Sequence, residues 1–460
     1  MRLCFEADGD DIWLSRGGTM LRVFLSSTSR DLKGERRELL ENLNQILSEV
    51  GMENFIPDGR TSHEISIEEL RQSDIAIFLI SPYYGSLIDE CRIKDCKADC
   101  PLKDKSGRIS YTHCEYKIAL AENKPHQAYI VDVDWDIVNE LKNKNQDNWF
   151  KILDDPNFRD RFSSQEVHHF FEIKENILNF KEEAEQEMCQ RIKGTERITS
   201  DLADNIVKYY LEKKIDLKDF SGRRSALKEL IEKMGESVEI YGVGGIGKTS
   251  LVQVGLLIQK LKGKKIVAIG TRQSYLTGSG YKHFKDKCAD EIYDAIGGKV
   301  TLEDIAIALG IHENLLGKED SEKINIVLDN INKRSILIFI DDFHLSDDNI
   351  RRLVSQANCG IVLASKRKIG LARSEIPLFG IEEEDRNNLI NLAAKRFHKE
   401  LDLAAKEKIK NIAEGHPVST EILVRNFELI NFGELENFKK GLTISNPRHS
   451  EELLMREVKD

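Results

Sequence analysis

Gly242, Gly244, Gly245 and Gly247, interspersed with Val243 and Ile246, lead into Lys248, Thr249 and Ser250 with the spacing GxxxxGK[ST]. Glycines at this spacing let successive backbone N–H groups curl around a phosphate, at the start of a helix whose partial positive charge favours anions. A lysine in the position of Lys248 reaches the β- and γ-phosphates, and a hydroxyl in the position of Thr249 ligates Mg²⁺. The context agrees, since the strand-like run Ser237–Tyr241 precedes the loop and Leu251–Leu257 continues at helical spacing. Further on, the apolar run Ser335–Ile340 ends in Asp341 and Asp342. A carboxylate there would hold Mg²⁺ opposite Thr249, so Asp341 is the metal-side candidate. Asp342 would orient a water or repel product phosphate. These residues predict a site for ATP or ADP with Mg²⁺, with Lys248, Asp341 and Asp342 as its chemical groups.

The whole chain bounds this reading. Its 460 residues suit two to four domains, and 40% apolar with 32% charged residues describes a globular protein. The longest apolar runs have strand length, which predicts no spanning helix, no membrane partner and no secretory signal. The net charge of −11 does not favour nucleic acid through bulk charge, leaving only a local patch open. Eight cysteines without a small-domain framework read as reduced thiols, predicting a cytoplasmic protein. Residues 1–20 show no periodicity. With Gly17 and Gly18 just upstream, Met20 is the expected translation start and 1–19 a non-native extension.

Residues 21–135 read as one α/β domain. Leu21–Leu25 is a strand, 33–50 an amphipathic helix closed by Gly51, and Met52–Ile56 a second strand. A short helix at Ile67–Arg71, a strand at Asp74–Ile80, a helix at Tyr111–Ala121 and a strand at Ala128–Val133 follow. Such alternation implies a parallel sheet with helices on both faces, and ligands then bind beyond the carboxyl ends of the strands. Ser26, Ser27, Thr28, Asp58, Ser81 and Tyr84 all fall there. The runs from Val23 through Ser26, Ser27 and Thr28 to Arg30, Asp31 and Leu32, then Ser73–Ile75, Tyr84–Gly85 and Ser110–Tyr116 resemble a TIR-like domain of unknown function. That resemblance implies a flavodoxin-like sheet, with Ser26 and Tyr84 near a nucleotide ligand. By likeness to TIR domains more broadly, Glu115 becomes a candidate for cleaving the nicotinamide–ribose bond of NAD. A carboxylate could stabilise oxocarbenium-like charge there. The alternative is a helix-surface or ion-paired Glu115 in a domain that only self-associates.

Cys91, Cys96, Cys100, His113 and Cys114 form a second cluster of chemistry-bearing residues. Four of these soft ligands could close a tetrahedral Zn²⁺ site, although the spacing is irregular and free thiols in a loop are the alternative. Residues 136–215 read as a helical connector, polar at first with Trp149 and Phe150 as anchors. Helical spacing follows from Gln165 and again over Ile198–Leu211.

Residues 216–415 carry the phosphate-binding loop. Phe220-Ser221-Gly222-Arg223, the loop, Asp341-Asp342, the strand Gly360–Ala364 with its basic end, and Gly415-His416-Pro417 together resemble STAND-class P-loop ATPases of the NB-ARC and NACHT type. The resemblance implies nucleotide contacts from Arg223, His416 and Pro417. It also implies a γ-phosphate sensor at Lys366 or Arg367, between which the register is open. Without a ligand, Ser221 would cap the following helix, and Gly415 and Pro417 would end one helix and start the next. Residues 416–460 read as a helical segment beginning a winged helix. The predicted fold class is therefore α/β throughout, with a TIR-like sheet domain, a helical connector, a P-loop NTPase domain and a short helical end. The expected function is a nucleotide-dependent switch that self-associates and clusters TIR-like domains in prokaryotic defence or stress signalling, under an unidentified trigger protein. The alternatives are an ATP-regulated scaffold without NAD chemistry and a mechanical AAA-like ATPase.

Overall fold

The computed structural model describes residues 21–131, 176–271 and 288–430 apart from short gaps, the longest being 52–61. The expected strand at 52–56, Asp58, the anchors Trp149 and Phe150, the first 20 residues and the tail beyond 433 lie outside the described residues. Two parallel sheets carry the fold.

The first sheet uses β1 (Arg22–Ser26), β2 (Ser48–Gly51) and β3 (Ile75–Ile80). A short antiparallel pair, β4 (Leu87–Ile88) and β5 (Ile109–Ser110), stands apart from it. β6 (His126–Val131) and β7 (Gln190–Ile192) complete the order β2-β1-β3-β6-β7, all neighbours parallel. Counted within the sheet this is the flavodoxin-like order 2-1-3-4-5, whose switch point lies between β1 and β3. β3 is buried along its whole length, which is why its sequence is an unbroken apolar run.

Two expectations are corrected here. The helix expected over 33–50 ends at Leu43, because Val50 pairs in register with Phe24 as part of β2. The last strand, β7, comes from the stretch expected to be a helical connector, so the first sheet draws on residues beyond 135.

The second sheet comprises β8 (Ser237–Tyr241), β9 (Lys265–Thr271), β10 (Glu291–Ala295), β11 (Ile336–Ile340), β12 (Ile361–Ser365) and β13 (Ser374–Pro377). Its order is β10-β9-β11-β12-β8-β13, again all parallel. The loop 242–247 therefore leaves the carboxyl end of β8, two strands from the acidic end of β11. Among the described residues both sheets are parallel and interleaved with helices, an α/β architecture.

The helix Glu196–Glu212 links the two sheets. Ile198, Leu202 and Ile206 belong to one apolar core with Leu25 and Leu79 on one side and Leu227, Val254 and Leu257 on the other. Asp201 accepts from the Tyr129 hydroxyl at 3.3 Å, and Asp204 pairs with Lys262 at 2.5 Å. The helices Arg386–Arg396, Leu403–Ala413 and Pro417–Arg425 build a separate small core around Ile390, Ile409 and Leu423. No helix among the described residues is long and apolar enough to cross a membrane.

Candidate functional site

The helix Lys248–Leu261 starts directly after the glycine loop, with Gly245 and Gly247 at φ of 79° and 95°. Side chains are disfavoured in that left-handed region, so glycine is what lets the loop close. Thr249 Oγ1 lies 3.3 Å from both carboxylate oxygens of Asp341, a buried residue at the end of β11. A hydroxyl and a carboxylate facing each other at a helix N-terminus are the donor set for Mg²⁺ in this setting. Lys248 Nζ folds back to donate to the carbonyls of Gly242 and Val243 at 2.8 and 2.9 Å. The second domain has the P-loop NTPase fold.

Burial pushes the Lys248 ammonium down to about 8 against the pull of Asp341 and Asp342, and the positive charges of Lys366 and Arg223 add to the fall. Asp342 lies in the left-handed region, at φ 53°, and accepts from the Thr271 hydroxyl at 3.2 Å.

Two basic groups from outside the sheet close on the loop. Arg223 Nη2 donates to the Ile246 carbonyl at 2.5 Å, while its backbone N–H donates to Glu382 at 3.2 Å. His416 Nε2–H donates to the Gly244 carbonyl at 3.1 Å, and its Nδ1 accepts from the Ser419 N–H at 3.2 Å. Burial, reinforced by the charges of Arg223 and Lys248, holds His416 neutral with its pKa down at about 4, although the bond to Gly244 opposes the fall. Pro417 begins its helix at the first turn, so the Gly415-His416-Pro417 turn starts a helix and lies on the loop at once. Ser221 does not cap the helix Arg224–Lys233: Arg223 occupies the N-cap in the left-handed region, and Ser221 Oγ has no partner among the described residues. Arg224 instead ties that helix to Asp385 at 2.6 Å.

Lys366 and Arg367 both reach solvent at the end of β12. Sequence reasoning missed the group beneath them, Glu239, which is fully buried and accepts from Ser365, Ile369 and Gly370. Its signal was visible as a lone acid inside the apolar strand Ser237–Tyr241. His344 was missed too. It follows the acidic pair, its Nδ1 is buried without a partner among the described residues, and burial lowers its pKa while Asp342 opposes the fall.

The carboxyl edge of the first sheet is occupied by its own side chains. Ser26 Oγ donates to Glu115 Oε2 at 2.5 Å, and Ser66 Oγ donates to Oε1. Glu115 is 1% exposed, so it is neither a surface residue nor open to a ligand in this conformation. Burial raises its pKa, partly offset by the two hydroxyls and Arg36. The Tyr84 hydroxyl donates to His113 Nδ1 at 2.6 Å, and His113 Nε2–H donates to Glu183 at 2.9 Å. Phe180 stacks on the imidazole at 4.3 Å.

The expected zinc site gains no support: among the described residues no group of three or more His, Cys, Asp or Glu side chains is placed to hold a metal ion. His113 is committed to Tyr84 and Glu183, and Cys114 lies 3.4 Å from His63 Nε2 as a thiol whose pKa burial raises. Cys91, Cys96 and Cys100 are free thiols packed against the apolar core of this domain.

A family described as a domain of unknown function, DUF4062, matches residues 22–206, a stretch that takes in the whole first sheet and reaches into the linking helix. No curated protein matches the chain. Similar solved structures include the replication initiator DnaA bound to AMPPCP and single-stranded DNA, at 18% identity and TM-score 0.29 over 48% of this chain and 66% of that one. The Thermotoga maritima RuvB Holliday junction branch migration motor is similar at 14% identity and TM-score 0.28, over 52% and 69%. The Aeropyrum pernix ORC1 protein in complex with DNA is similar at 15% identity and TM-score 0.28, over 45% and 60%. At these identities and TM-scores the likeness carries no argument about what the chain does.

Proposed function

We propose that this chain is a nucleotide-controlled switch of the STAND type, in which ATP or ADP with Mg²⁺ occupies the loop 242–249. The observation that carries the reading is the convergence on one loop of Thr249 facing Asp341 at 3.3 Å with Arg223 and His416 bonded to its carbonyls. Arg223 belongs to the segment following the linking helix, and His416 to the small helical unit. A triphosphate drawing on Lys248 competes with the Gly242 and Val243 carbonyls and so reshapes a loop that both segments hold. A ligand shifts a conformational equilibrium only through such differential contacts. Hydrolysis would be slow and would reset the state.

The state change would govern self-association, bringing the flavodoxin-like N-terminal domains together in a homo-oligomer that answers a separate trigger protein. TIR-like NAD cleavage by Glu115 would require the Ser26–Glu115–Ser66 clamp to open. As built, the clamp favours a module that signals by clustering rather than by chemistry.

The test is titration calorimetry of the full chain with ATP–Mg²⁺ and ADP–Mg²⁺, paired with light scattering for assembly. Lys248→Ala should weaken triphosphate binding by roughly a hundredfold, the scale of a charge-assisted contact to phosphate, and abolish nucleotide-dependent assembly. Assembly that persists unchanged in Lys248→Ala removes the switch. Nicotinamide release by the assembled protein, lost in Glu115→Gln, would restore the catalytic reading of the N-terminal domain.

A further inference from the structure

Glu239 has no part in phosphate or metal contact, yet it is a carboxylate buried at the centre of the P-loop sheet. Such a charge is costly unless hydrogen bonds satisfy it. Its partners all come from one place. Ser365 Oγ lies 2.7 Å from Glu239 Oε1, the Ile369 N–H donates to the same oxygen at 2.9 Å, and the Gly370 N–H donates to Oε2 at 2.9 Å. These donors are the two ends of the turn 365–370, so one carboxylate pins both ends of the segment carrying Lys366 and Arg367. The same turn is braced from outside by Lys368, which pairs with Glu375 of β13 at 2.5 Å.

The turn is also joined to the phosphate loop. Ser365 pairs in register with Tyr241, and the Gly242 N–H donates to the Ser365 carbonyl at 3.3 Å. Lys366 therefore leaves β12 level with the first glycine of the loop. It is close enough to Lys248 for its charge to act on that ammonium. Arg367 lies one step further round, and its carbonyl sits 2.6 Å from Ser365 Oγ, so the single Ser365 hydroxyl hydrogen is shared between that carbonyl and Glu239 Oε1.

We infer that Glu239 is a positioning residue that fixes the turn 365–370 so that Lys366, rather than Arg367, faces the terminal phosphate and sets the preference for ATP over ADP. This rests on the nucleotide reading of the loop given above. Lys366 adds an interaction available only to a γ-phosphate, and Glu239 removes the freedom of the turn that would otherwise dilute it. Preorganisation of this kind is worth most where the group it holds carries charge.

The experiment compares ATP–Mg²⁺ and ADP–Mg²⁺ affinities of the full chain by calorimetry in Lys366→Met, Arg367→Met, Glu239→Gln, Ser365→Ala and the double variant Glu239→Gln/Lys366→Met. Glutamine keeps one acceptor but turns an amide N–H₂ toward the other backbone donor, so it loosens one end of the turn without emptying the site. Lys366→Met should lower the ATP:ADP affinity ratio roughly tenfold, the low end for a hydrogen bond to a charged group. Arg367→Met should leave the ratio unchanged. Glu239→Gln should reproduce most of the Lys366→Met loss and add nothing to the ratio in the Lys366→Met background, which identifies action through Lys366. If Glu239→Gln does not fold, Ser365→Ala, lacking a single hydroxyl, should show the same loss in smaller measure.

Equal weakening of ATP and ADP by Glu239→Gln makes the residue merely structural and overturns the inference. So does a ratio that follows Arg367 instead of Lys366. Wild-type protein that binds neither nucleotide overturns the loop reading itself, whereas wild-type binding with an unmoved ratio overturns this inference alone.

Discussion

Lys248 donates its ammonium to two loop carbonyls, and burial depresses its pKa to about 8. A bound triphosphate supplies negative charge at the same point and raises that pKa. The sign follows directly: affinity is full below pH 8 and falls as pH rises from 8 toward the pKa of the bound state, by up to about tenfold per unit. Phosphate itself titrates near pH 6, so proton uptake near pH 9 reports the lysine. Calorimetry at pH 9 in buffers of different ionisation heat should show uptake approaching one proton per nucleotide, and binding without uptake would place Lys248 away from the phosphate. The loop residues were legible because their chemistry needs a fixed spacing in one short stretch. Glu239 showed in the sequence only as a lone acid in an apolar strand, because its partners Ser365, Ile369 and Gly370 lie 126 to 131 residues away and only the strand order brings them near.

Among elements, the first domain depends on a clamp of three. Ser26 ends β1, Ser66 lies on the helix Ser62–Gln72, and Glu115 lies on the helix Tyr111–Ala121. Glu115→Ala leaves two hydroxyls without a carboxylate in a dry site, and should cost about 2–4 kcal/mol of stability by denaturant unfolding. Glu115→Gln keeps an acceptor and a donor and should cost about 1 kcal/mol. Because burial raises the folded-state pKa above its ordinary 4.5, the group's contribution is complete below that value and is lost as pH rises through the folded pKa. Glu115→Gln should flatten that part of the stability profile, and a slope identical to wild type would show that Glu115 is not its source. The same elements show where sequence is informative. β1, β3 and the helix Tyr111–Ala121 were readable from apolar periodicity, and the structure adds a Ser110 N-cap that accepts from the His113 N–H. The end of the first helix was misplaced because Ile46, Leu47 and Val50 continue helical spacing, and only the pairing of Val50 with Phe24 ends it at Leu43. β7 was hidden for a similar reason: three residues in a polar stretch become a strand only because β6 offers them an edge.

At the scale of the molecule, the helix Glu196–Glu212 is the route by which loop occupancy can reach the N-terminal sheet. Its apolar face shares one core with both sheets, and its polar groups reach Tyr129 on one side and Lys262, at the far end of the P-loop helix, on the other. At its end Tyr210 donates to the Gly222 carbonyl, and Arg224 Nε donates to the Tyr210 carbonyl at 3.1 Å, next to the Arg223 that holds the loop. Packed elements of this sort shift between discrete arrangements rather than deforming smoothly. A coupling of about 1–3 kcal/mol between sites changes local opening equilibria by roughly five- to 150-fold. Exchanging ADP for ATP should therefore change amide hydrogen exchange in 196–212 by at least about fivefold in the full chain. Lys248→Ala should show no such change. Protection confined to 242–249, with 196–212 unmoved, would leave the two domains energetically separate and take away the physical basis of a switch.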